Sequence, residues 1–404
     1  MNEYFTPLIV GNNITELPKS TLPASATDNA GHYPFFCSSA EIKATSTWLQ
    51  EKPTVLMGTG GMASVNYGED RFAYSTDTWG FRSNNINLGT KFLFRKIQQH
   101  LPRIDYAGFE GSGLRHLRKD YVKKLKIDVP SPTVQSRIVD IMDGFDRAIE
   151  KTESLIAKYQ QIKAGLMHDL FTHGVTADGK LRPPREQAPE LYQKTPIGWI
   201  PKEWEVKALR GCLVGNPTNG IYKPPTLIGH GTLLVGQTAF TLERSIDFAF
   251  ARRAVLSKDE LSRYGLMEND ILVTRVFATV EGVGQPTLVP AMYEPAVYES
   301  NMMRLRIERA VILPVLLFEW LRNHTVRRMI VSGANASNQT SINQQVLNLL
   351  PVIRPAPEEQ HRMTMIIKTF DTRIKGEKST LEKLRQQKSG LMRDLLTGRV
   401  RVKV

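Results

Sequence analysis

The sequence has little of what builds disulfide-rich or metal-binding proteins. Only two of its 404 residues are cysteines, Cys37 and Cys212, and they lie far apart in the chain. Their number and separation argue against a disulfide framework and favour a reducing compartment, the cytoplasm. The eight histidines include no pair at the i, i+4 spacing that binds a metal on one face of a helix. We therefore expect no metal site in this chain.

Long hydrophobic runs are missing as well. The longest candidate, residues 310–318, contains Pro314 and is far shorter than the roughly 18 apolar residues that predict a membrane span. The first residues, MNEYFTPLIVGNN, do not combine a basic start with a long apolar run, so they do not predict a secretory signal. We expect no membrane partner.

Negative charge is also scarce. The chain carries 53 lysines and arginines against 40 acidic residues, which gives a formal net charge of +13 and a pI near 9.6. Residues 91–126 alone hold ten basic residues against three acids. Such an excess favours a polyanionic partner, and nucleic acid is favoured over a membrane surface because no basic amphipathic anchor is present.

What the sequence does contain is a long internal repeat. Lys163–Thr172 reads KAGLMHDLFT, and 225 residues later Lys388–Thr397 reads KSGLMRDLLT. At this offset, without gaps, residues 130–175 and 355–400 are identical at 19 of 46 positions. Solenoid repeats recur every 20–50 residues or so, and this spacing excludes them. A whole segment has been duplicated.

Each copy of the repeat predicts one long helix. Both copies begin at a Pro-x-Pro sequence and continue without proline, with apolar residues three or four apart. A helix of about 38 residues is roughly 57 Å long, and its narrow apolar seam favours a partner helix. Residues 130–175 have a net charge of −1 and residues 355–404 one of +6. We therefore expect an antiparallel pair within the chain, the alternative being that each helix packs only on its own domain.

Two glycines stand inside these predicted helices, Gly165 and the equivalent Gly390. Glycine in a helix interior is about 1 kcal/mol less favourable than alanine. Close approach of the two helix backbones would explain both residues, and a plain lapse in helix propensity is the alternative.

The repeat divides the chain into five parts. The two globular segments contain short strand patterns bounded by Gly, Pro, Asn or Asp, and five prolines between 183 and 201 predict an extended linker. The predicted parts are a domain at 1–129, a long helix at 130–175, a Pro-rich linker at 176–198, a second domain at 199–354, and a long helix with a C-terminal tail at 355–404. The predicted fold class is α+β: two mixed α/β domains separated by a pair of long antiparallel coiled-coil helices, with pseudo-twofold symmetry.

This layout resembles the specificity subunit of type I restriction–modification enzymes. The second domain opens with PIGWIPKEWE at 196–205 and continues with ENDIL at 268–272, YESN at 298–301 and SNQTSI at 337–342. GHYPFF at 31–36 and FAYS at 72–75 are similar signatures in the first domain. The sequence departs from the family at its N-terminus, which lacks an Ile-Pro-x-x-Trp opening, and at Val134-Gln135, where the second copy has Glu359-Gln360.

The resemblance implies a prokaryotic, cytoplasmic subunit with two target-recognition domains and no catalytic residues of its own. It implies binding to double-stranded DNA, docking of two adenine-N6 methyltransferase subunits, and restriction subunits in the full complex. S-adenosylmethionine, ATP and magnesium are expected on those partners and no cofactor in this chain. Since the two domains share little sequence, we expect a bipartite, asymmetric DNA target.

Motifs for enzymes that act on DNA are not found in the sequence. The nearest strings to a methyltransferase Asn/Asp-Pro-Pro-Tyr/Phe loop, at 216–218 and 223–225, do not match it. Gly58-Thr-Gly-Gly61 lacks the spacing of a cofactor or phosphate loop and predicts a turn, one that could approach DNA closely. The short Glu-x-Lys strings at 41–43 and 205–207 lack the upstream Pro-Asp of a nuclease. The remaining alternative is a free-standing bipartite DNA-binding regulator.

Two sets of residues are candidate contacts. Basic, amide and hydroxyl side chains suited to phosphates and base edges form the DNA-binding set: Lys91, Arg95, Lys96, Arg115, His116, Arg118, Asn335, Asn338, Gln339 and Thr340. Capping and turn roles explain each of them equally well singly. The predicted subunit-docking set, on the repeated helices, is Leu166, Asp169, Leu391 and Arg393.

Overall fold

Stretches that are far apart in the sequence fold together in each half of the protein. The computed structural model describes residues 5–241, 244–334 and 340–403. They divide into two units, the first formed by Met1–Ile156 with Gly376–Val404 and the second by Ala157–Lys375. Each unit thus contains one globular domain with a part of each repeated segment.

The domain of the first unit is made of short strands around one longer helix. In chain order its elements are β1 (Thr6–Ile9), β2 (Ile14–Glu16), β3 (Tyr33–Phe36), β4 (Ile42–Thr45), β5 (Thr54–Gly58), β6 (Val65–Gly68), β7 (Ala73–Tyr74), β8 (Thr78–Ser83), α1 (Thr90–Ala107), β9 (Phe109–Glu110), β10 (His116–Leu117), α2 (Lys119–Lys123) and β11 (Lys126–Val129). The long helix α3 (Pro132–Thr172) follows. β2, β8, β5 and β6 form an antiparallel sheet in that order, and β4, β3 and β7 form a second sheet.

The domain of the second unit follows a hairpin of two strands, β12 (Tyr192–Thr195) and β13 (Gly198–Pro201). Its elements are β14 (Glu205–Ala208), β15 (Thr218–Asn219), β16 (Ile228–Val235), β17 (Arg252–Ala254), α4 (Lys258–Tyr264), β18 (Ile271–Thr274), β19 (Val276–Phe277), β20 (Pro286–Leu288), β21 (Ala296–Tyr298), β22 (Met302–Leu305), α5 (Pro314–Arg322), α6 (His324–Ser332), β23 (Thr340–Ser341), α7 (Gln344–Asn348) and β24 (Pro351–Arg354). The long helix α8 (Pro357–Leu396) ends the fold.

The two domains have the same topology although their sequences differ. The sheet β15-β22-β18-β20 matches the sheet β2-β8-β5-β6 in strand order. In the sheets β17-β16-β21 and β4-β3-β7, the central strand pairs antiparallel with the first strand and parallel with the last. α2 and α7, and likewise β11 and β24, begin 225 residues apart. The duplication therefore extends through the domains as well as the helices.

Each domain is closed by pairing its first strand with its last. β1 pairs antiparallel with β11, and β14 pairs antiparallel with β24. Because chain entry and chain exit lie side by side, the polypeptide between them forms one excisable unit.

The two long helices and their antiparallel pairing are confirmed. In the first unit Asp146 of α3 pairs with Lys388 of α8, and Glu153 pairs with Arg385. Residue numbers increase along α3 while those of their partners decrease along α8, so the helices are antiparallel. The second unit repeats this pattern: Lys163 bonds Asp371, while Arg373 lies over the ring of Tyr159. Among the described residues, no helix is long and apolar enough to cross a membrane.

A glutamine at the same repeat position attaches each domain to its long helix. Gln135 accepts a hydrogen bond from the backbone of Gly89 and donates to the carbonyls of Asn87 and Pro130, at 2.7–2.9 Å. Gln360 accepts from the backbone of Leu313 and donates to the carbonyls of Val311 and Pro355, at 2.9–3.1 Å. Both side chains are buried. Since their partners are backbone groups, this attachment does not depend on the side chains of the domain.

The segment predicted to be an extended linker is packed instead. It contains the β12–β13 hairpin, and the Tyr192 hydroxyl donates to the Pro183 carbonyl at 2.6 Å. Arg182 and Trp204 are buried, and both donate to Glu359 at the start of α8. Buried polar bonds hold this segment on the second unit, so it is not a free extended linker.

The two departures from the family pattern belong to one feature. Glu359 accepts bonds from Arg182, from Trp204 and from the backbone N–H of Val175. In the first unit Val134 replaces Glu359, and Phe5 precedes β1 where Trp204 precedes β14. The first unit therefore lacks both the carboxylate that corresponds to Glu359 and the indole that corresponds to Trp204.

Candidate nucleic-acid interface

Part of the predicted basic patch is used inside the first unit. Lys91 pairs with Glu69 and Asp143 at 3.1 and 2.9 Å. Arg95 is buried and pairs with Asp143 and Asp146 of α3, both at 2.6 Å. The expectation that Arg95 contacts DNA phosphates is therefore corrected: its guanidinium joins α1 to α3, and a phosphate cannot reach it in this structure.

Lys96 is buried for a related reason. Its Nζ donates at 2.6 Å to the carbonyl of Leu396, the last residue of α8. A cation at this point complements the negative end of the helix dipole. Burial lowers the pKa of Lys96 to about 8, against a smaller opposing effect of Asp128. The predicted DNA contact of Lys96 is corrected in the same way.

Lys96 makes the stability of the first unit depend on pH. Its pKa rises from about 8 in the folded chain to 10.5 when unfolded, so the unfolded state binds more protons between these values. Stability should therefore increase as pH rises from 8 to 10.5, by on the order of 3 kcal/mol. Chemical denaturation across this range should show that Lys96→Met removes this gain, whereas the exposed control Lys124→Met retains it. Parallel profiles for the wild type and Lys96→Met would contradict this role.

The rest of the basic patch lies at the surface, around the β9–β10 hairpin. His116 and Arg118 are exposed, and Arg118 donates to the Ala107 carbonyl at 3.1 Å. Arg115 is half-buried, donates to the backbone carbonyl of Asp105 and lies 5.4 Å from the ring centroid of Phe109. These three side chains thus lie on or beside the hairpin. On α1, by contrast, Lys91 and Arg95 pair with acids from other parts of the unit, and Lys96 bonds a backbone carbonyl.

Two glycine-rich loops meet beside this hairpin. The N–H of Gly61 donates to the carbonyl of Arg115 at 2.9 Å, and the N–H of Leu117 donates to the carbonyl of Thr59 at 2.9 Å. Gly58–Gly61 is thus a turn, as predicted. A methyl group added to Gly61 or Gly113 would meet no other residue within 4 Å, so the backbone is open to an approaching ligand there.

The tips of these loops carry apolar residues that the sequence reasoning missed. Met62 is 76% exposed and Leu114 is 68% exposed. Asp105 of α1 supports both loops, because it accepts from the N–H of Ala63 at 2.8 Å and from Arg115. The available signal was a large apolar residue directly after each glycine pair, Gly60-Gly61 and Gly111-Ser-Gly113, where no core position is expected. Exposed apolar groups on a supported loop are suited to thymine methyls and base edges.

The second domain has an equivalent strand pairing. Val276 pairs with Ser341, just as Gly60 bridges His116 in the first domain. Thr340 is buried, opposite the partly exposed Phe277, so its side chain faces away from solvent. The other predicted contacts of this domain, Asn335, Asn338 and Gln339, lie outside the described residues.

The predicted docking residues differ in their exposure. Arg393 is exposed, and Asp169 is 41% exposed and lies 3.9 Å from His173. Leu166 and Leu391 are partly buried and pack on the cores of the second and first units, respectively. An aspartate in place of Leu391 would therefore put a charge against that core, so Leu391 is also a structural residue.

Gly165 and Gly390 are not sites of helix–helix contact. A methyl group added to either glycine would meet no atom of another part of the chain within 4 Å. Close approach of the two helix backbones is therefore excluded as their explanation, and both glycines face open space.

Neither cysteine has the surroundings of a reactive thiol. Cys37 and Cys212 are both buried and unpaired with each other, and burial raises the pKa of each thiol. A raised pKa lowers the thiolate fraction and with it the reactivity. Within the described part of the chain, no group of three or more His, Cys, Asp or Glu side chains is arranged to hold a metal ion.

Comparison with known proteins shows what the chain resembles. Residues 13–159 match the model of the type I restriction modification DNA specificity domain. The MjaVIII specificity subunit of a type I restriction enzyme from Methanocaldococcus jannaschii is 24% identical, over 95% of this chain and 90% of its own length.

Two solved structures share the fold. The S subunit of a type I restriction–modification system from M. genitalium has a TM-score of 0.65 at 14% identity, covering 97% of this chain and 96% of its own. A chain from a study of complex assembly in the type I R-M system has a TM-score of 0.53 at 14% identity, with 97% of each chain covered. Over nearly its whole length the chain is thus similar to specificity subunits of type I restriction–modification systems, and residues 13–159 match the DNA specificity domain of that family.

Proposed function

We propose that this subunit reads a bipartite, asymmetric DNA target and docks two adenine-N6 methyltransferase subunits. In the complete complex it would also hold the ATP-dependent restriction subunits. S-adenosylmethionine, ATP and magnesium would then be bound by those partners, and this chain would contribute recognition without catalytic residues. The two recognition domains of this proposal are residues 1–129 and 199–354.

One observation carries the proposal. The two domains have the same topology and are attached to the long helices by the same glutamine contacts, yet their sequences differ. Two domains that recognise different half-sites need the same fold but different side chains on their DNA-binding surfaces. Equivalent repeated helices likewise offer two similar surfaces, which suits two copies of one partner.

DNA contact in the first domain is proposed for the two glycine-rich loops and the adjoining hairpin. His116 and Arg118 supply exposed donors for phosphates, while Met62 and Leu114 supply apolar contacts to bases. Arg115 supports the loops through Asp105. In the second domain the equivalent region is the pairing of β19 with β23.

The repeated glycines are proposed to admit a docked methyltransferase subunit. In the isolated chain, Gly390→Ala should raise stability by about 0.5–1 kcal/mol, because nothing crowds the added methyl group. Gly390→Leu should leave the chain folded but reduce assembly with the methyltransferase, measured by native mass spectrometry. Gly376→Leu is the matched control, since Gly376 is equally open on α8 but lies outside the repeated motif. Unchanged assembly of Gly390→Leu would place the docking surface elsewhere.

A reconstitution experiment tests the proposed division of labour. The chain, a cognate methyltransferase subunit, and the two together are each incubated with genomic DNA and labelled S-adenosylmethionine. Methyl transfer is expected only from the mixture. Transfer by this chain alone would show that it is an enzyme, and equal transfer by the methyltransferase alone would remove any role for it in recognition.

A further inference from the structure

The antiparallel helix pair carries one ion pair twice. Asp146 of α3 bonds Lys388 of α8 in the first unit, and Lys163 of α3 bonds Asp371 of α8 in the second. Positions 146 and 371 are repeat equivalents, and so are 163 and 388. In both ion pairs the aspartate comes from one copy of the repeat and the lysine from the other copy. This exchange is what isologous pairing of two equivalent helices produces.

The two recognition domains meet this ion pair with opposite charges. In the first unit, Arg95 of α1 donates to Asp146 at 2.6 Å and to Gln98, three residues further on, at 3.0 Å. In the second unit, Glu319 of α5 accepts from Lys163 at 2.9 Å and from Arg322, three residues further on, at 3.0 Å. Arg95 and Glu319 are both buried. An Asp–Lys pair offers both signs of charge, so it can seat a domain of either polarity.

A neighbouring helix position adds a preference for one sign. Asp143 lies one turn before Asp146 and bonds both Arg95 and Lys91, at 2.6 and 2.9 Å. The equivalent position in the second copy is Lys368, one turn before Asp371. Asp143 thus occurs with the domain that presents Arg95, and Lys368 occurs with the domain that presents Glu319. Side chains one turn apart on a helix are close enough for their charges to interact.

We infer that positions 143 and 368 select which recognition domain each unit accepts. Aspartate at this position fits a domain that presents the Arg95–Gln98 pair, and lysine fits one that presents the Glu319–Arg322 pair. The Asp–Lys pair and the neighbouring position 143 or 368 thus form a docking surface on the helices, whose charge selects the domain. Its partner is a recognition domain, from this chain or from another specificity subunit. The code concerns domain seating and is independent of which DNA is read.

An exchange of the code tests this in the full-length chain. Glu319→Arg with Arg322→Gln gives the second domain the docking residues of the first and should lower the melting temperature of the chain. Adding Lys368→Asp recreates the aspartate seat and should recover at least half of that loss. Lys368→Asp alone completes the cycle and should itself lower the melting temperature, because it places an acid in the seat of a domain that presents Glu319.

The reverse exchange guards against failure of one variant to fold. Arg95→Glu with Gln98→Arg should destabilise the first unit, and adding Asp143→Lys should recover part of the loss. Where an exchanged variant is insoluble, recovery of soluble protein by the third substitution supports the inference equally. If the third substitution gives no recovery in either unit, so that all effects simply add, positions 143 and 368 do not select the domain.

Discussion

Glu359→Ala should destabilise the second unit by about 3–5 kcal/mol, because it leaves a buried arginine without its main partner. Glu359 is 2% exposed and accepts from Arg182, from the indole of Trp204 at 3.0 Å, and from the N–H of Val175 at 2.7 Å. Burial alone would lower the pKa of Arg182, but its bonds to Glu359 and Glu203 outweigh that effect and raise it. Because a guanidinium is not deprotonated in proteins, Arg182 stays charged when Glu359 is removed.

The measurement is thermal and chemical denaturation together with hydrogen exchange. The melting temperature of the unit should fall by roughly 10 °C, and the amide of Val175 should lose its protection. Glu203→Ala is the matched control, since Glu203 bonds the same arginine at 2.6 Å but its side chain is 75% exposed. Its effect should stay below about 1 kcal/mol. Equal effects of the two substitutions would show that the buried network does not anchor this segment.

Replacing residues 205–354 with the corresponding domain of another specificity subunit should change one half of the DNA target and leave the other half unaltered. The junctions follow from the structure. Cutting after Trp204 keeps the network around Glu359 intact, and cutting after Arg354 keeps Pro355, the partner of Gln360 in the repeat. β14 and β24 then enter and leave the new domain as one closed pair.

The outcome is read by sequencing the adenines methylated by the hybrid complex. The other contacts of Gln360 are to the backbone at Val311 and Leu313, so a foreign domain can reproduce them without matching side chains. A donor domain with an acid at the position of Glu319 should seat best. Change of both half-sites together would contradict independent reading by the two domains.

The sequence predicted the long helices because duplication preserved their apolar spacing and their proline starts. It also predicted a negatively charged partner, because the net charge of the chain does not depend on how its side chains are arranged. It did not predict that Arg95 and Lys96 are buried. Their partners Asp143 and Leu396 lie 48 and 300 positions away in the chain, and no local pattern distinguishes a basic residue that binds DNA from one that joins two helices.

The domain topology was hidden for a different reason. Strands of two to six residues, such as those described in the first domain, contain too few positions for a repeat to be recognised once side chains diverge. Only elements next to the helices, such as α2 and α7, kept the 225-residue offset. The role of Glu359 was equally hidden, since it depends on a tryptophan 155 positions earlier.

The most direct test of the account is to map the DNA sequence methylated by this chain together with its methyltransferase subunits. Two domains of equal topology and different surface predict two short, unlike half-sites separated by a fixed stretch of unread base pairs. Arg118→Ala should weaken binding to every sequence, while Met62→Ala and Leu114→Ala should relax the first half-site alone, by about 1–3 kcal/mol of discrimination. A single uninterrupted motif, or a motif that persists when this chain is omitted, would contradict the account.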